Sequence, residues 1–312
     1  MEPNSSFSTI NPLLQLAWDS TSLGALKTCP RYYEYTIVRG FESRQRNVHL
    51  QFGIWIHEGK EKYDRARAGG VSHDTAVLNV VQYLLRATWD RERNRPWQST
   101  DNVKNRLTLI RTIVWYLEEY KDDPITTVIF SDGSPAVELS FSFDTAYKSP
   151  AGEPYLLCGH IDRLGTMNGQ TFPCDVKTTK STIGDNFFDQ FSPHNQFSIY
   201  TLAAKVVYSL PTAGLVIDGA QIAVTFSRFE RRTSPRSEAQ LNEWYQGLRY
   251  WLDAAEKYAT ANYWPMNESA CGNYGGCPFR KVCSKSPSIR AEWLKTDFLP
   301  RTWDPLKVRG DI

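Results

Sequence analysis

Two aspartates and a lysine flank a predicted tight turn between two strands. Asp162 precedes the turn, and Asp175 and Lys177 follow it. The turn is Asn168-Gly169, the strongest short-range hairpin signal that a sequence can carry. A two-residue turn makes Asp162 and Asp175 direct cross-strand neighbours. Lys177, two residues further along the strand, is expected on the same face.

This arrangement predicts metal-assisted hydrolysis. Carboxylates about 5 Å apart on one face of a sheet repel each other. A divalent cation between them removes the conflict, since Mg²⁺ prefers one or two carboxylates together with water and phosphate oxygens. A neighbouring lysine can orient or deprotonate the attacking water, or stabilise negative charge in the transition state. The alternative is a solvent-facing strand whose acids pair with Lys177 or Arg163.

A second candidate site is built from cysteines. Cys271, Cys277 and Cys283 are spaced as C-x₅-C-x₅-C, with glycines between them that allow tight folding around a metal. Three thiolates need a fourth ligand, for which Cys29 is the candidate. Four thiolates suit a cubane iron-sulfur cluster or tetrahedral zinc, and the alternative is four unligated thiols. The remaining two cysteines, at positions 158 and 174, are expected to pack as small hydrophobic side chains.

The periodicity predicts the elements that position these residues. Apolar residues recur at helical spacing over about 74–93, 102–121, 189–208 and 236–261. Strand patterns occur over 126–130, 137–143, 155–165, 171–177 and 214–228. This order predicts one α/β domain, with a mixed central β-sheet flanked by helices and accessory segments at both ends.

An ordered set of residues resembles a known family. The set is Gly53-x-x-x-His57, Glu138, Gly159-x-x-Asp162-Arg163, Asp175-x-Lys177 and Gln196-x-x-x-Tyr200. It resembles the PD-(D/E)XK nucleases of the RecB-like exonuclease branch, which includes CRISPR-associated and phage-encoded exonucleases. Many relatives carry Glu where this chain has Asp175. The family also places the histidine at the start of a helix.

The resemblance implies a role for each residue of the set. Asp162, Asp175 and His57 would be metal ligands, together with the backbone carbonyl of Val176, and Lys177 would be the catalytic lysine. Glu138 would be an outer ligand or would orient one. Gln196 and Tyr200, one turn apart on a helix face, would position DNA or active-site groups.

The resemblance also implies a fold, cofactors and partners. It implies a restriction-endonuclease-like core at 126–262, preceded by a helical part at 1–125 and followed by a cysteine-rich segment at 263–312, together forming a single nuclease domain. The cofactors would be Mg²⁺ or Mn²⁺ and a [4Fe-4S] cluster on Cys29, Cys271, Cys277 and Cys283 that joins the two ends of the domain. The substrate would be single-stranded DNA or duplex ends, within prokaryotic or phage recombination, repair or CRISPR-related DNA processing.

Composition excludes several protein classes. The 312 residues have a net charge of +2 and are 41% hydrophobic, which is unlike a disordered chain. No apolar run reaches the roughly 18 residues that a bilayer span needs. The polar N-terminus lacks a signal-peptide pattern. We therefore expect a cytoplasmic protein with reduced thiols. No phosphate-binding G-x-x-x-x-G-K-[ST] loop occurs, so unwinding would require a helicase partner.

Local charge suggests where nucleic acid would lie. The segment 86–111 carries seven basic and three acidic residues, a net of +4. Basic patches favour phosphate backbones through counterion release, although charged helices are also commonly just solvated. The cations and the aromatic side chains that could stack on unpaired bases are Arg86, Arg91, Arg93, Arg95, Lys104, Arg106, Arg111, Arg228, Arg231, Arg232, Arg236, Trp89, Trp97, Tyr32 and Tyr33.

Two other functions remain open from the sequence. One is a non-catalytic DNA-binding or partner subunit that keeps the nuclease fold. The other is a zinc-stapled interaction protein in which the acidic hairpin is incidental. Neither requires the full set of His57, Asp162, Asp175 and Lys177.

Overall fold

The computed structural model describes residues 6–44, 47–212 and 214–308. Its helices are α1 Ser20–Thr28, α2 Pro30–Tyr33, α3 Val48–Ala68, α4 His73–Ala87, α5 Arg106–Glu119, α6 Asp185–Asp189, α7 Asn195–Val206, α8 Glu238–Ala261, α9 Arg280–Cys283 and α10 Arg290–Asp297. Its strands are β1 Ala17–Trp18, β2 Phe41–Ser43, β3 Trp89–Asp90, β4 Arg95–Pro96, β5 Thr126–Thr127, β6 Val137–Lys148, β7 Pro154–Met167, β8 Gln170–Thr179, β9 Gly214–Ile222, β10 Ser227–Pro235 and β11 Phe298–Pro300. A π-helical turn spans Glu34–Val38, and 3₁₀ turns span Glu268–Gly275 and Pro287–Ile289.

A mixed sheet forms the centre of the fold. Its strand order is β1-β7-β8-β9-β10, and β5 and β6 also pair with β7. The pairs β7–β8 and β9–β10 are antiparallel, while β8–β9 is parallel. The sheet therefore combines hairpins with a crossover from β8 to β9, which α6 and α7 supply.

The described residues form two compact units. Unit 1 comprises Met1–Gln45, Ser140–Gly159 and Glu238–Ile312, and unit 2 comprises Arg46–Leu139 and His160–Ser237. All of the residues predicted for hydrolysis belong to unit 2. The four cysteines of the predicted cluster belong to unit 1.

In unit 2, helices cover the sheet. Residues of α3, α4 and α5 form one core cluster with Val176 of β8 and Ile222 of β9. Side chains alternate along a strand, so Asp175 and Lys177 are directed to the face opposite Val176. On that face Lys177 contacts Gln196 of α7. The helix α7 thus supplies the layer against which the predicted catalytic strand places its polar side chains.

In unit 1, the two ends of the chain pack together. The strand β11 pairs with β2, and Arg31 donates a 2.7 Å hydrogen bond to the carbonyl of Trp264. Trp264 is buried against Tyr33. Stacked aromatic rings of Phe279 and Phe298, 4.4 Å apart, continue this core. Aromatic packing therefore holds the segment around α2 beside the C-terminal segment.

Several predicted boundaries differ from the structure. The strand pattern over 214–228 is divided between β9 and β10, because the chain reverses between Ile222 and Ser227. The helix expected at 189–208 begins only at Asn195, after Pro193, because proline disfavours helical backbone in the residue before it. Nowhere in the described ranges is a helix long and apolar enough to cross a membrane.

Candidate active site

The strand β8 carries the carboxylate and the lysine of the predicted catalytic pair. Asp175 is 2% exposed, and Lys177 Nζ lies 2.7 Å from its Oδ2 and 3.0 Å from its Oδ1. Both side chains project from the same face of β8 because they are two residues apart. The alternation predicted from the sequence is confirmed at this position.

The hairpin that brings Asp162 to β8 turns where it was predicted to turn. Met167 pairs with Gln170, and Asn168 and Gly169 adopt φ of 52° and 76°, as a type I′ turn requires. The register continues as far as the Arg163–Cys174 pair. Asp162 and Asp175 are the next positions, so they stand just beyond the last ladder pair instead of forming one.

The helix α3 brings His57 to Asp162. His57 Nδ1 lies 2.8 Å from Asp162 Oδ2. The helix begins at Val48, because the side chain of Asn47 accepts hydrogen bonds from the first-turn amides. The expectation that His57 stands at a helix start is therefore wrong. It lies in the third turn, and the Gly53-x-x-x-His57 spacing is a mid-helix spacing.

The charges of this cluster shift one another's pKa values in opposite directions. Burial raises the pKa of Asp175, and the negative charge of Asp162 raises it further. Burial also opposes ionisation of Asp162, but the adjacent His57 and Lys177 outweigh it and lower the pKa of Asp162. Burial would lower the pKa of His57, yet its partner Asp162 raises it above its ordinary value. Two neighbouring acids whose pKa values are shifted in opposite directions are typical of functional sites.

The helix α7 completes the hydrogen-bond chain. Gln196 accepts a 2.9 Å hydrogen bond from Lys177 and donates to Asp175 Oδ1 at 3.3 Å. Its amide also donates to the hydroxyl of Tyr200 at 3.0 Å. Burial, followed by the charges of the two aspartates, raises the pKa of Tyr200 well above its ordinary value, so the phenol stays protonated.

Glu138 lies at the edge of this cluster in a strained conformation. It is 8% exposed on β6, and its charge contributes to the raised pKa of Tyr200. Its φ is +52°, in the left-handed region that a residue such as glutamate rarely adopts. Strain of this kind persists only where the surrounding structure enforces it, and it concentrates at functional sites.

Two buried oxygens test whether a cation fits. Asp162 Oδ2 and Asp175 Oδ2 are buried and, although each lies in an ion pair, neither accepts a well-aligned hydrogen bond in the described part of the chain. Such oxygens suit Mg²⁺, which takes one or two carboxylates and keeps several waters. Across the described ranges, no group of three or more His, Cys, Asp or Glu stands in a metal-holding arrangement. The three-side-chain ligand set with His57 therefore stays a prediction.

Comparison with known proteins agrees with this geometry. A family model described as the PD-(D/E)XK nuclease superfamily matches residues 18–284. The chain belongs to this superfamily. Its α/β architecture, a mixed central sheet flanked by helices, fits the restriction-endonuclease-like core of PD-(D/E)XK nucleases. A search of curated proteins finds no match.

Two crystal structures are among the solved structures that resemble the chain. One is the crystal structure of a "Putative exonuclease" from Eubacterium rectale, with a TM-score of 0.51 and 10% identity over 94% of this chain and 98% of that one. At this identity the likeness concerns the fold alone. The other is the crystal structure of SSO0001, with a TM-score of 0.29 and 12% identity over 66% of this chain and 96% of that one. That likeness is too weak to carry an argument.

The four cysteines of this PD-(D/E)XK chain are brought near one another in unit 1. Burial raises the pKa of Cys283 to about 11, with contributions from Cys277 and Cys29. Burial likewise raises the pKa of Cys277, with contributions from Cys271 and Cys29. The amide of Asn267 donates a 3.3 Å hydrogen bond to Cys29 Sγ. The four thiols thus lie within electrostatic range of one another, although they too fall outside any metal-holding group in the described residues.

The other two cysteines behave as predicted. Cys158 and Cys174 are 1% and 2% exposed, and neither forms a disulfide. Burial raises the pKa of both thiols. They pack as small hydrophobic residues, which confirms the expectation.

The sequence analysis missed a buried ion-pair network beside the site. Its acids and bases alternate and are joined by direct ion pairs, four of which measure 2.5–3.7 Å. Its members, in order, are Lys60, Asp64, Arg163, Asp123, Arg231 and Asp218. We name it the alternating network. One signal was present in the sequence: Lys60 is three residues after His57 and Asp64 is four residues after Lys60, so all three lie on one helix face.

This network corrects part of the predicted DNA surface. Arg231 is held by Asp123 and Asp218, so it is not free to bind phosphate. Arg236 is 4% exposed and donates to the carbonyl of Phe191. Tyr33, expected to stack on bases, is fully buried. These side chains stabilise the fold, whereas Arg86, Arg91, Arg93, Arg95 and Arg228 are exposed.

Proposed function

We propose that the protein is a metal-dependent DNA exonuclease that hydrolyses phosphodiester bonds on single-stranded DNA or at duplex ends. The observation that carries this proposal is the convergence of Asp162, Asp175 and Lys177 with His57, with two buried carboxylate oxygens that lack well-aligned hydrogen bonds. Superfamily membership supports nuclease chemistry. The E. rectale structure's name supports an exonuclease, by analogy only.

Asp162 and Asp175, with the carbonyl of Val176 and an imidazole nitrogen of His57, would hold Mg²⁺ or Mn²⁺. A divalent cation there would supply Lewis-acid polarisation of the phosphoryl group and would acidify water. Lys177 is held by Asp175 and Gln196, so its ammonium is oriented before substrate arrives. In that position it can orient the attacking water or stabilise charge that develops on the phosphoryl oxygens. Glu138 and Tyr200 would position these groups.

The experiment is a nuclease assay with isosteric variants. Asp162→Asn and Asp175→Asn should reduce Mg²⁺-dependent degradation of labelled single-stranded DNA to background, and Lys177→Met should reduce it by about 10²-fold or more. Asp122→Asn, at an exposed acid of unit 2, serves as the matched control and should leave the rate unchanged. Wild-type protein that binds DNA but never cuts it in Mn²⁺ would instead identify a non-catalytic binding subunit.

We further propose that Cys29, Cys271, Cys277 and Cys283 bind a [4Fe-4S] cluster, with zinc as the alternative. The mutual electrostatic effects of these thiols support the grouping. Anaerobically purified protein should be brown, with broad absorbance near 400 nm. Cys283→Ser should lose the iron, while Cys158→Ala, at a buried cysteine outside the group, should keep it. Colourless protein with stoichiometric zinc would overturn the iron-sulfur assignment.

The proposed setting is cytoplasmic DNA processing in a prokaryote or phage-infected cell. The absence of a phosphate-binding loop from the sequence supports a separate helicase, recombination or CRISPR-adaptation partner for any unwinding. Activity on single-stranded DNA and frayed ends but not on blunt duplex, restored by an added helicase, would support this dependence.

A further inference from the structure

A second polar cluster lies just beyond the catalytic lysine on β8. Lys104 Nζ donates a 3.2 Å hydrogen bond to the hydroxyl of Thr178, the residue after Lys177. Lys180 donates at 2.8 Å to Asp101, and His49 Nε2 lies 3.8 Å from the same carboxylate. All of these residues belong to unit 2. We name Lys104, Lys180, His49 and Asp101 the lysine cluster.

Lys104 is a buried cation without a matching anion. It is 4% exposed, and in the described part of the chain no carboxylate lies within ion-pair distance of its ammonium. Its other neighbour is the ring of Phe52, 5.5 Å from the ammonium. A buried charge that lacks an ionic partner is energetically unfavourable. Burial and the nearby charge of Lys180 lower the pKa of Lys104 to about 8, although the charge of Asp101 acts in the opposite direction.

The cluster opens to solvent and carries an excess of positive charge. The side chains of Lys180 and His49 are 44% and 50% exposed, whereas that of Asp101 is 16% exposed. Asp101 accepts hydrogen bonds from the backbone amides of Val103 and Lys104 as well as from the ammonium of Lys180, so its charge is already shared among several donors. His49 lies in the first turn of the 21-residue helix α3, whose N-terminus adds positive partial charge.

We propose that the lysine cluster is a phosphate subsite that binds the DNA backbone next to the scissile bond. This inference rests on the proposed nuclease function, because it takes DNA as the ligand. Lys180 is three residues beyond Lys177, about 10 Å of extended chain, and follows the last residue of β8. Thr178, which contacts Lys104, is directed to the face of β8 opposite Lys177. A nucleotide chain whose scissile phosphate lies at Lys177 would therefore reach the cluster by passing the end of β8. The neutral imidazole of His49 can donate one hydrogen bond to it.

The test measures DNA binding in EDTA, where no cleavage occurs. Lys180→Met, which changes an exposed side chain, and Lys104→Met should each weaken binding of a labelled single-stranded oligonucleotide roughly tenfold at low salt. Each should also reduce the slope of log affinity against log salt by about 0.7. Lys121→Met is the matched control, because Lys121 is an exposed lysine. Lys104 lies just before the start of α5 and Lys121 just after its end, and the helix between them is about 21 Å long. It should change neither quantity.

Asp101→Asn should change the DNA affinity in the opposite direction. The asparagine oxygen can still accept the two amide hydrogen bonds, but the negative charge facing the phosphate is removed. Binding should tighten severalfold, an outcome that loss of folding cannot produce. The phosphate at the cluster could be an internal phosphodiester of the DNA or its terminal 5′-phosphate. Oligonucleotides with a 5′-phosphate and with a 5′-hydroxyl distinguish the two. An equal effect on both identifies an internal phosphodiester, and an effect confined to the former identifies the terminal group.

Lysine variants that match Lys121→Met in both affinity and salt slope would overturn the subsite. The binding assay is independent of the nuclease assay. Cleavage that is lost in the Asp162 and Asp175 variants, combined with unchanged binding in the lysine variants, would retain the proposed function and reject the subsite alone. A wild-type protein that never cuts DNA would reject the nuclease even if the binding effects appear.

Discussion

The alternating network and the proposed catalytic cluster, which we define as His57, Asp162, Asp175 and Lys177, both lie in unit 2 but differ in how their charges are paired. In the network, three acids and three bases alternate, and each acid contacts at least one base. In the catalytic cluster, Asp162 and Asp175 lie together, and their contacts are His57 for Asp162 and Lys177 for Asp175. Balanced buried charges hold elements together, whereas closely placed acids with opposed pKa shifts are typical of functional sites.

The lysine cluster is unbalanced with the opposite sign. There Lys180 pairs with Asp101, whereas the more buried Lys104 has no carboxylate within ion-pair distance in the described residues. An excess of acid therefore adjoins an excess of base along the same strand. A metal ion would balance the first excess and a phosphate the second, and DNA with a divalent cation supplies both.

The largest expected effect on stability comes from removing one acid of the alternating network. Asp218 is 1% exposed and binds Arg231 and the hydroxyl of Tyr116. Asp218→Asn leaves the half-buried Arg231 with one of its two carboxylate partners. We expect a loss of about 3 kcal/mol in the free energy of unfolding, measured by urea denaturation.

Asp175→Asn is the contrasting variant. Burial and Asp162 raise the pKa of Asp175, so its carboxylate is less stable in the folded protein than in the unfolded chain. Removing that charge at neutral pH should leave the unfolding free energy unchanged or higher, while cleavage is lost. Equal destabilisation by the two variants would show that the catalytic carboxylate is a structural partner like Asp218.

Local patterns predicted the catalytic strand but not its surroundings. The Asn168-Gly169 turn and the alternation of Asp175 and Lys177 follow from rules that span only a few residues. Those rules also predicted a direct Asp162–Asp175 pair, but the ladder ends one position earlier, and strand divergence has no local signature. The start of α3 was missed because the capping Asn47 stands before an interrupted apolar pattern.

Long-range pairing set the limit of sequence reasoning. Asp123 and Arg231 are far apart in the chain, and nothing near either residue indicates that they form a 2.6 Å ion pair. Arg231 was therefore assigned to a DNA surface on local charge alone. The same limit applied to Lys104, whose isolation is visible only once its burial against Phe52 and Thr178 is known. Counting charges along a sequence shows where cations are frequent. It does not show which of those cations form ion pairs in the folded protein.

The second expected effect is a change in stability when the buried lysine of the lysine cluster is replaced. Lys104→Met replaces a buried, unpaired ammonium with an apolar group of similar length. We expect the melting temperature at neutral pH to rise by a few degrees, about 1 kcal/mol, even though DNA binding weakens. Lys121→Met, at an exposed lysine, should not shift it. A lower melting temperature for Lys104→Met would mean that Lys104 stabilises the fold and is not held ready for a ligand.

The smallest expected effect is a pH dependence of DNA binding. Because burial and Lys180 lower the pKa of Lys104 to about 8, this lysine loses its charge between pH 7 and 9 in the free protein. The pKa of His49 is lowered by burial and by both lysines, and that of Asp101 is about 2, so neither changes charge in this range. Affinity for single-stranded DNA in EDTA should therefore decrease severalfold from pH 7 to pH 9. Lys104→Met should lack this decrease and Lys121→Met should retain it. An identical decrease in all three proteins would assign the titration to another group and remove Lys104 from the phosphate contact.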